Sequence, residues 1–421
     1  MAHVGFLSVN AKGHMYPMSS LALELRRRGH EITFFCVADA EGFFRELDLK
    51  TVVVGREQFP LGYTEEVFAH LGTLKGQAGT LYTIRILGDG VEMQFAELPQ
   101  KIREQNIDGL VIDQFSMGGA SIGDHLRLPY LHVANALMFN MERRVPPVNF
   151  GWSCETSPRA IARNVIVHAL SRRMLTPLRS KINRQRARWN LVPYRDFPND
   201  AFRGHPLISQ QPPGFEFPRY ELPADFHFVG PLHEGMDRRE TSFPWERLDG
   251  RPIVYASMGT LQNRLDWIFE VILQAGAGQE VQLVLSLGGG SDPSRFGGVA
   301  GDAVIVNYCP QIELLQRTAV CITHAGLNTA LESLAQGVPM VAIPITNDQP
   351  GVAARIAWSG TGVVLPPKRL TASRLAEALV RVLTIPSYRE NALRLSREIH
   401  QLNALERASE IVERTLIERR R

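Results

Sequence analysis

Residues 308–350 read YCPQIELLQRTAVCITHAGLNTALESLAQGVPMVAIPITNDQP, and this stretch decides the fold class. AVCIT is a short apolar run, HAGLN a tight turn, and TALESLAQ a helical segment stopped by Gly337. A strand–glycine turn–helix unit points backbone N–H groups and a positive helix end at whatever lies above the turn. His324, Asn328 and Thr329 supply the hydrogen-bond donors that a diphosphate requires. Glu332, one helical turn after Asn328, is placed to accept from ribose hydroxyls. Asp348 and Gln349 follow the next apolar run, PMVAIPI, and offer acceptors and donors to sugar hydroxyls.

The same grammar extends outward in both directions. PIVYASMG, QLVLSLGGG and AVIVNY precede the stretch as strand candidates, each followed by a turn or a helical segment. HVGFLSV, EITFFCV, TVVVG, GLVIDQF and YLHVAN do the same in the first half. After HVGFLSV, Met18, Leu21, Ala22 and Leu25 recur at helical spacing until Gly29. Apolar runs alternating with helices predict parallel sheets covered on both faces. Between the halves, residues 210–250 are dense in proline and glycine, which disfavour regular structure. The expected architecture is α/β: two doubly wound, Rossmann-like domains facing across a cleft. Residues 1–230 form an N-terminal acceptor-binding domain, and 231–395 a C-terminal nucleotide-sugar-binding domain. A terminal helix within 396–421 is expected to pack back on the first domain.

At 421 residues the chain is long enough for two or three domains, at roughly 100–200 residues each. Hydrophobic residues at 44% and charged residues at 21% exclude a disordered or fibrous chain. Four widely spaced cysteines without a CxxC pair argue against a disulfide scaffold or a structural zinc. A net charge of +3 implies no general affinity for nucleic acid. No apolar run approaches the roughly 20 residues of a membrane span, and MAHVGFLSV lacks the plan of a signal peptide, so a cytoplasmic protein is expected. One local bias stands out. From Thr156 to Arg195 there are ten basic residues and no acidic one. The plain reading is a solvated amphipathic helix pair; the functional one is peripheral contact with an anionic membrane surface.

The first turn, NAKGHMYP, carries His14, whose ordinary pKa near ~6.5 suits it to take a proton at neutral pH. Asp113 ends the fourth strand, where it can reach the same rim and orient His14. Taken singly, His14 reads as a turn residue and Asp113 or Asp348 as a helix cap; likewise His324 and Glu332 alone read as braces. ASMGT places Ser257, Gly259 and Thr260 at the first turn of the second domain, where glycine lets a phosphate approach. Phe59, Tyr82, Met138 and Phe139 lie in stretches rich in aromatics and methionine, which suit either a lipophilic acceptor pocket or an ordinary core.

Pro310-Gln311, His324, Gly326, Asn328, Glu332, Gly337-Val338-Pro339, Pro344 and Asp348-Gln349 resemble the donor signature of family 1 nucleotide-sugar glycosyltransferases. GHMYP resembles that family's GHxxP turn, and VIDQF its aspartate strand. The first ~60 residues and the donor segment look most like the bacterial zeaxanthin glucosyltransferases. The resemblance implies a GT-B fold, with Tyr308 and Gln311 holding uracil. His324, Asn328 and Thr329 would hold phosphate, Glu332 the ribose, and Asp348 with Gln349 the hexose. Tyr308 and Leu327 stand where plant members carry tryptophan; Tyr308 still presents a flat face to a base. The implied activity is inverting transfer of glucose from UDP-glucose to a hydroxyl of a carotenoid, polyketide, sterol or flavonoid-like acceptor, with His14 as base. No DxD motif is present, so no metal or other cofactor is expected. A UDP-sugar epimerase or a non-catalytic nucleotide-sugar sensor would use the same architecture, but the GHxxP turn with Asp113 fits acceptor activation better.

Overall fold

The structure, a computed structural model, describes residues 1–74, 77–233, 242–259, 266–289, 291–296 and 301–418. The first sheet contains β1 (His3–Leu7), β2 (Glu31–Cys36), β3 (Lys50–Val53), β4 (Gly109–Asp113), β5 (Tyr130–Ala134), β6 (Leu207–Ser209) and β7 (Phe226–Phe228). These run in the order β3-β2-β1-β4-β5-β6-β7, every pair parallel. Its helices are α1 (Lys12–Arg27), α2 (Ala38–Glu46), α3 (Tyr63–Thr73), α4 (Gln77–Glu104), α5 (Gly119–Leu126), α6 (Pro158–Met174) and α7 (Thr176–Arg188).

The second sheet contains β8 (Ile253–Ser257), β9 (Gln282–Ser286), β10 (Val304–Val306), β11 (Thr318–Thr323), β12 (Met340–Ala342) and β13 (Gly362–Val364), in the order β10-β9-β8-β11-β12-β13 and again parallel. Its helices are α8 (Asp266–Gly276), α9 (Gln311–Leu315), α10 (Leu327–Ala335), α11 (Gln349–Trp358) and α12 (Ala372–Thr384), followed by α13 (Pro386–Gln401) and α14 (Ala404–Glu418). Every residue of β1, β4, β5, β8 and β9 is buried, as helices on both faces require.

In each sheet the winding direction reverses once, between β1 and β4 and between β8 and β11. Loops leaving adjacent strands on opposite faces leave a crevice at such a point, which is where open α/β sheets bind ligands. Both crevices open toward the interdomain cleft.

One expectation fails. Residues 226–228, inside the proline-rich joint, form β7 rather than irregular chain, and β6 was not singled out at all. Strands of three residues are too short to display a period of two.

Two features close the molecule. Met18, Leu21, Ala22 and Leu25 of α1 share a core with Ala404, Ala408, Ile411, Val412 and Leu416 of α14, so α14 returns to the first domain. Beside the joint lies a buried knot of four charges. Arg355 of α11 donates through Nε to Glu216 Oε1 at 3.0 Å, and Arg219 pairs with Glu142 at 3.0 Å and with Glu216 at 3.7 Å. Burial alone would raise the pKa of Glu216, but Arg355 and Arg219 hold it below its ordinary value.

Candidate active site

Three neighbouring strands of the first sheet deliver one polar side chain each to a single point. The loop after β1 carries His14 in the first turn of α1, β4 ends on Asp113, and β5 is followed by Asn135. Asp113 is completely buried. Its Oδ2 accepts from His14 Nδ1 at 2.7 Å and from Asn135 Nδ2 at 2.6 Å, while Oδ1 accepts from the Phe115 N–H at 2.8 Å. A carboxylate only accepts, so the bond assigns the imidazole proton to Nδ1 and leaves the Nε2 lone pair free. Desolvation pulls the pKa of His14 down, but the charge and hydrogen bond of Asp113, with the charge of Asp348, raise it above its ordinary value.

The imidazole stands edge-on to Phe115, with ring centroids 5.7 Å apart, and Phe115 in turn lies 5.5 Å from Phe139. Gln114 clamps this wall. Its Nε2 donates to the Leu137 carbonyl at 3.1 Å, and its Oε1 accepts from the Phe139 N–H at 3.1 Å.

Across the cleft, His324 follows β11, and Gly326 caps α10, which ends before Gly337 at φ +63°. The His324 ring sits between two glycines: a Cβ at Gly259 would come within 2.6 Å of its Nε2, and one at Gly326 within 2.5 Å. Desolvation pushes its pKa down to about 4, against one backbone hydrogen bond with Ser257, so it is neutral near neutral pH. His324 Nδ1 and Asn328 Oδ1 are buried without a protein partner, beside the open N-terminus of α10. The donors an anion would meet at this helix start are the backbone N–H groups of the first turn of α10, whereas the Asn328 amide oxygen is an acceptor and calls for a donor.

The remaining residues read from the sequence are placed as follows. Ser257 ends β8 and accepts from the Gly259 N–H at 3.4 Å. Gln311 joins Glu332 to Tyr255: its amide donates to Glu332, and its Oε1 accepts from the Tyr255 hydroxyl at 2.7 Å. Tyr308 is exposed, with its hydroxyl on the Gly288 carbonyl at 3.1 Å and Lys12 Nζ 5.2 Å from its ring centroid. Thr329 lies in the first turn of α10. Asp348 Oδ2 accepts from the Leu137 N–H at 3.2 Å, and desolvation raises its pKa. Gln349 Oε1 accepts from the Ile345 and Thr346 N–H groups, bracing the loop from within. Thr260 lies outside the described residues. Of the four acceptor candidates, Phe139 reaches His14 through Phe115. Tyr82 packs edge-on to His70, while Phe59 and Met138 are buried in core clusters.

The two sides meet directly. Asn328 Nδ2 donates to the carbonyl of Gly13, next to His14, at 2.8 Å. Tyr16 and Ser20 of α1 face Asn328 and Glu332 across a shallow recess open to solvent.

The sequence profile described as UDP-glucoronosyl and UDP-glucosyl transferase matches residues 91–413. The chain belongs to this glycosyltransferase family. It is 30% identical to the zeaxanthin glucosyltransferase of Pantoea ananas, over 99% of this chain and 96% of that one. It is 26% identical to the 4'-demethylrebeccamycin synthase of Lentzea aerocolonigenes, over 95% and 96%. Among solved structures, the calicheamicin glycosyltransferase CalG4 superposes with a TM-score of 0.77 at 21% identity, covering 99% of this chain and 98% of that one. The fold is therefore GT-B.

Asn135, Gln114 and Phe115 of this glycosyltransferase escaped the sequence reading. Gln114 and Asn135 directly follow strand ends already identified, and polarity just past a buried strand was the signal available; Phe115, one residue further on, carried none. Substituting Gly326 with alanine forces a methyl group onto the His324 ring, and UDP affinity is expected to fall about tenfold, or ~1.4 kcal/mol. Titration calorimetry with UDP measures this; an unchanged affinity would mean that the ring does not contact the ligand.

Proposed function

We propose that this glycosyltransferase moves glucose from UDP-glucose to a hydroxyl of a lipophilic small molecule, with inversion at the anomeric carbon and without a metal. The observation that carries the reading is the His14 Nδ1–Asp113 bond, which frees Nε2 at the cleft opposite the α10 N-terminus. Nε2 takes the proton of the acceptor hydroxyl as its oxygen attacks the anomeric carbon from the face opposite the diphosphate. The bond to UDP breaks, and the electron pair leaves on the β-phosphate oxygen. The N–H groups of α10 and the neutral His324 receive that charge. Asp113 stabilises the resulting imidazolium. Glu332 binds the ribose, Tyr308 and Gln311 the base, and Asp348 with Gln349 the hexose.

The absence of a DxD motif supports transfer without a metal. The Phe115–Phe139 wall beside the base favours an apolar acceptor, as does likeness to a relative named a zeaxanthin glucosyltransferase. Incubation with mixed UDP-sugars and a panel of carotenoid, sterol, polyketide and flavonoid alcohols tests the reading by mass spectrometry. UDP plus a β-glucoside of an apolar alcohol is expected. A new UDP-sugar without glycoside would indicate an epimerase, and no product a sensor.

The reaction requires neutral His14, whose pKa is raised. The acid limb of kcat/KM is therefore expected to fall above the ordinary ~6.5. In Asp113→Asn the limb shifts to lower pH while the plateau drops on the order of 10³–10⁴-fold. A pH–rate profile with an unmoved limb would remove Asp113 from the role.

A further inference from the structure

Helix α6 is amphipathic in the wrong sense for a helix facing water. Its inward face carries Ala160, Asn164, His168 and, just past its end, Leu175, so two of its most buried side chains are polar. His168 Nε2 bonds the Val145 carbonyl at 3.0 Å, which fixes α6 against the loop after β5. Its outward face carries Ala162, Val165, Ile166, Ala169 and Leu170, spaced three and four apart along one stripe. Val165 is 45% exposed, Ile166 60% and Leu170 56%. Scattered apolar residues on a surface need no account, but a continuous stripe opposite a polar inner face does.

The charges around the stripe identify what covers it. Arg159 and Arg173 lie on the same face, one at each end of the apolar run, and both are exposed. Neither forms an ion pair among the described residues. The whole segment from Thr156 to Arg195 contains no acidic side chain. An apolar stripe bracketed by unpaired arginines complements a surface that is oily within and negative at its rim. A second copy of the same face would instead bring arginine against arginine.

We propose that α6 docks this glycosyltransferase onto an anionic lipid bilayer, with the apolar stripe at the acyl boundary and the arginines among the headgroups. Among the described residues no helix is long and apolar enough to cross a membrane, so the contact lies in the interfacial plane. The loop that α6 grips also carries Phe139, whose N–H is held by Gln114 in the wall beside His14. Docking therefore brings the acceptor side of the cleft toward the lipid. The inference goes beyond the transfer reaction, and its vesicle flotation needs neither donor nor acceptor, so each reading can fail while the other stands.

The full chain is floated with vesicles of phosphatidylcholine alone or with added phosphatidylglycerol. Partition onto the anionic vesicles is expected to be at least about tenfold higher and to fall as salt is raised. Ile166→Asp/Leu170→Asp is expected to lower binding to anionic vesicles about tenfold, and Arg159→Gln/Arg173→Gln to abolish the preference for them. Both variants keep wild-type transfer to a water-soluble alcohol. Wild-type protein that does not float, floats equally on both vesicles, or floats undiminished after Ile166→Asp/Leu170→Asp overturns the proposal. So does a dimer, seen by light scattering, that this variant dissociates, because the stripe would then cover a second copy.

Discussion

His14→Ala is expected to lower kcat/KM about 10³-fold, equivalent to ~4 kcal/mol of transition-state stabilisation, while UDP affinity stays within a factor of about two. The magnitude is that of removing a positioned base. The geometry keeps the variant otherwise intact. Asp113 retains Asn135 and the Phe115 N–H as donors, so no orphaned buried carboxylate remains. The contact that Asn328 makes across the cleft goes to the Gly13 carbonyl, which the substitution preserves. Initial rates and calorimetry on the same preparation separate the two quantities. A variant turning over within threefold of wild type would take the base away from His14, and the transfer mechanism would need another proton acceptor.

Arg355→Ala is expected to cost about 3–5 kcal/mol of stability, because it leaves the Glu216 carboxylate buried with a depleted set of partners. Arg219 remains, 3.7 Å away and shared with Glu142. Arg355→Met/Glu216→Leu should recover most of the loss, since it removes both charges and fills the space with apolar atoms. The sign with pH follows from the lowered pKa of Glu216. Its contribution is present above the unfolded carboxyl pKa of ~4.3 and disappears as pH falls through the lower folded value. The gap between wild type and Arg355→Ala should thus be full at pH 7 and close in strong acid. Urea unfolding at both pH values measures it; a single variant as stable as wild type at pH 7 would show the knot to be energetically idle.

These two sites differ in how visible they were beforehand. Asp113 ends a strand that apolar runs reveal and His14 lies in the turn-to-helix unit after another, and parallel pairing makes such ends converge, so local pattern sufficed. The α10 turn was legible for the same reason: a strand, a glycine turn and a helix are contiguous. Arg355 and Glu216 are 139 residues apart, in a helix and a proline-rich joint, and neither segment has a spacing that announces the other. Phe59 and Met138 show a second limit. Aromatic and methionine side chains fill cores and pockets alike, and composition does not say which. Gln349 shows what spacing leaves unsaid, since its amide oxygen also accepts from two N–H groups of its own loop.

Because α14 returns to α1, the domain of the second sheet is an insertion within that of the first, spliced in at two seams near residues 230 and 402. Transplanting a donor lobe from another glycosyltransferase needs two cuts, and trimming the last helix would undermine the half of the protein that begins the chain.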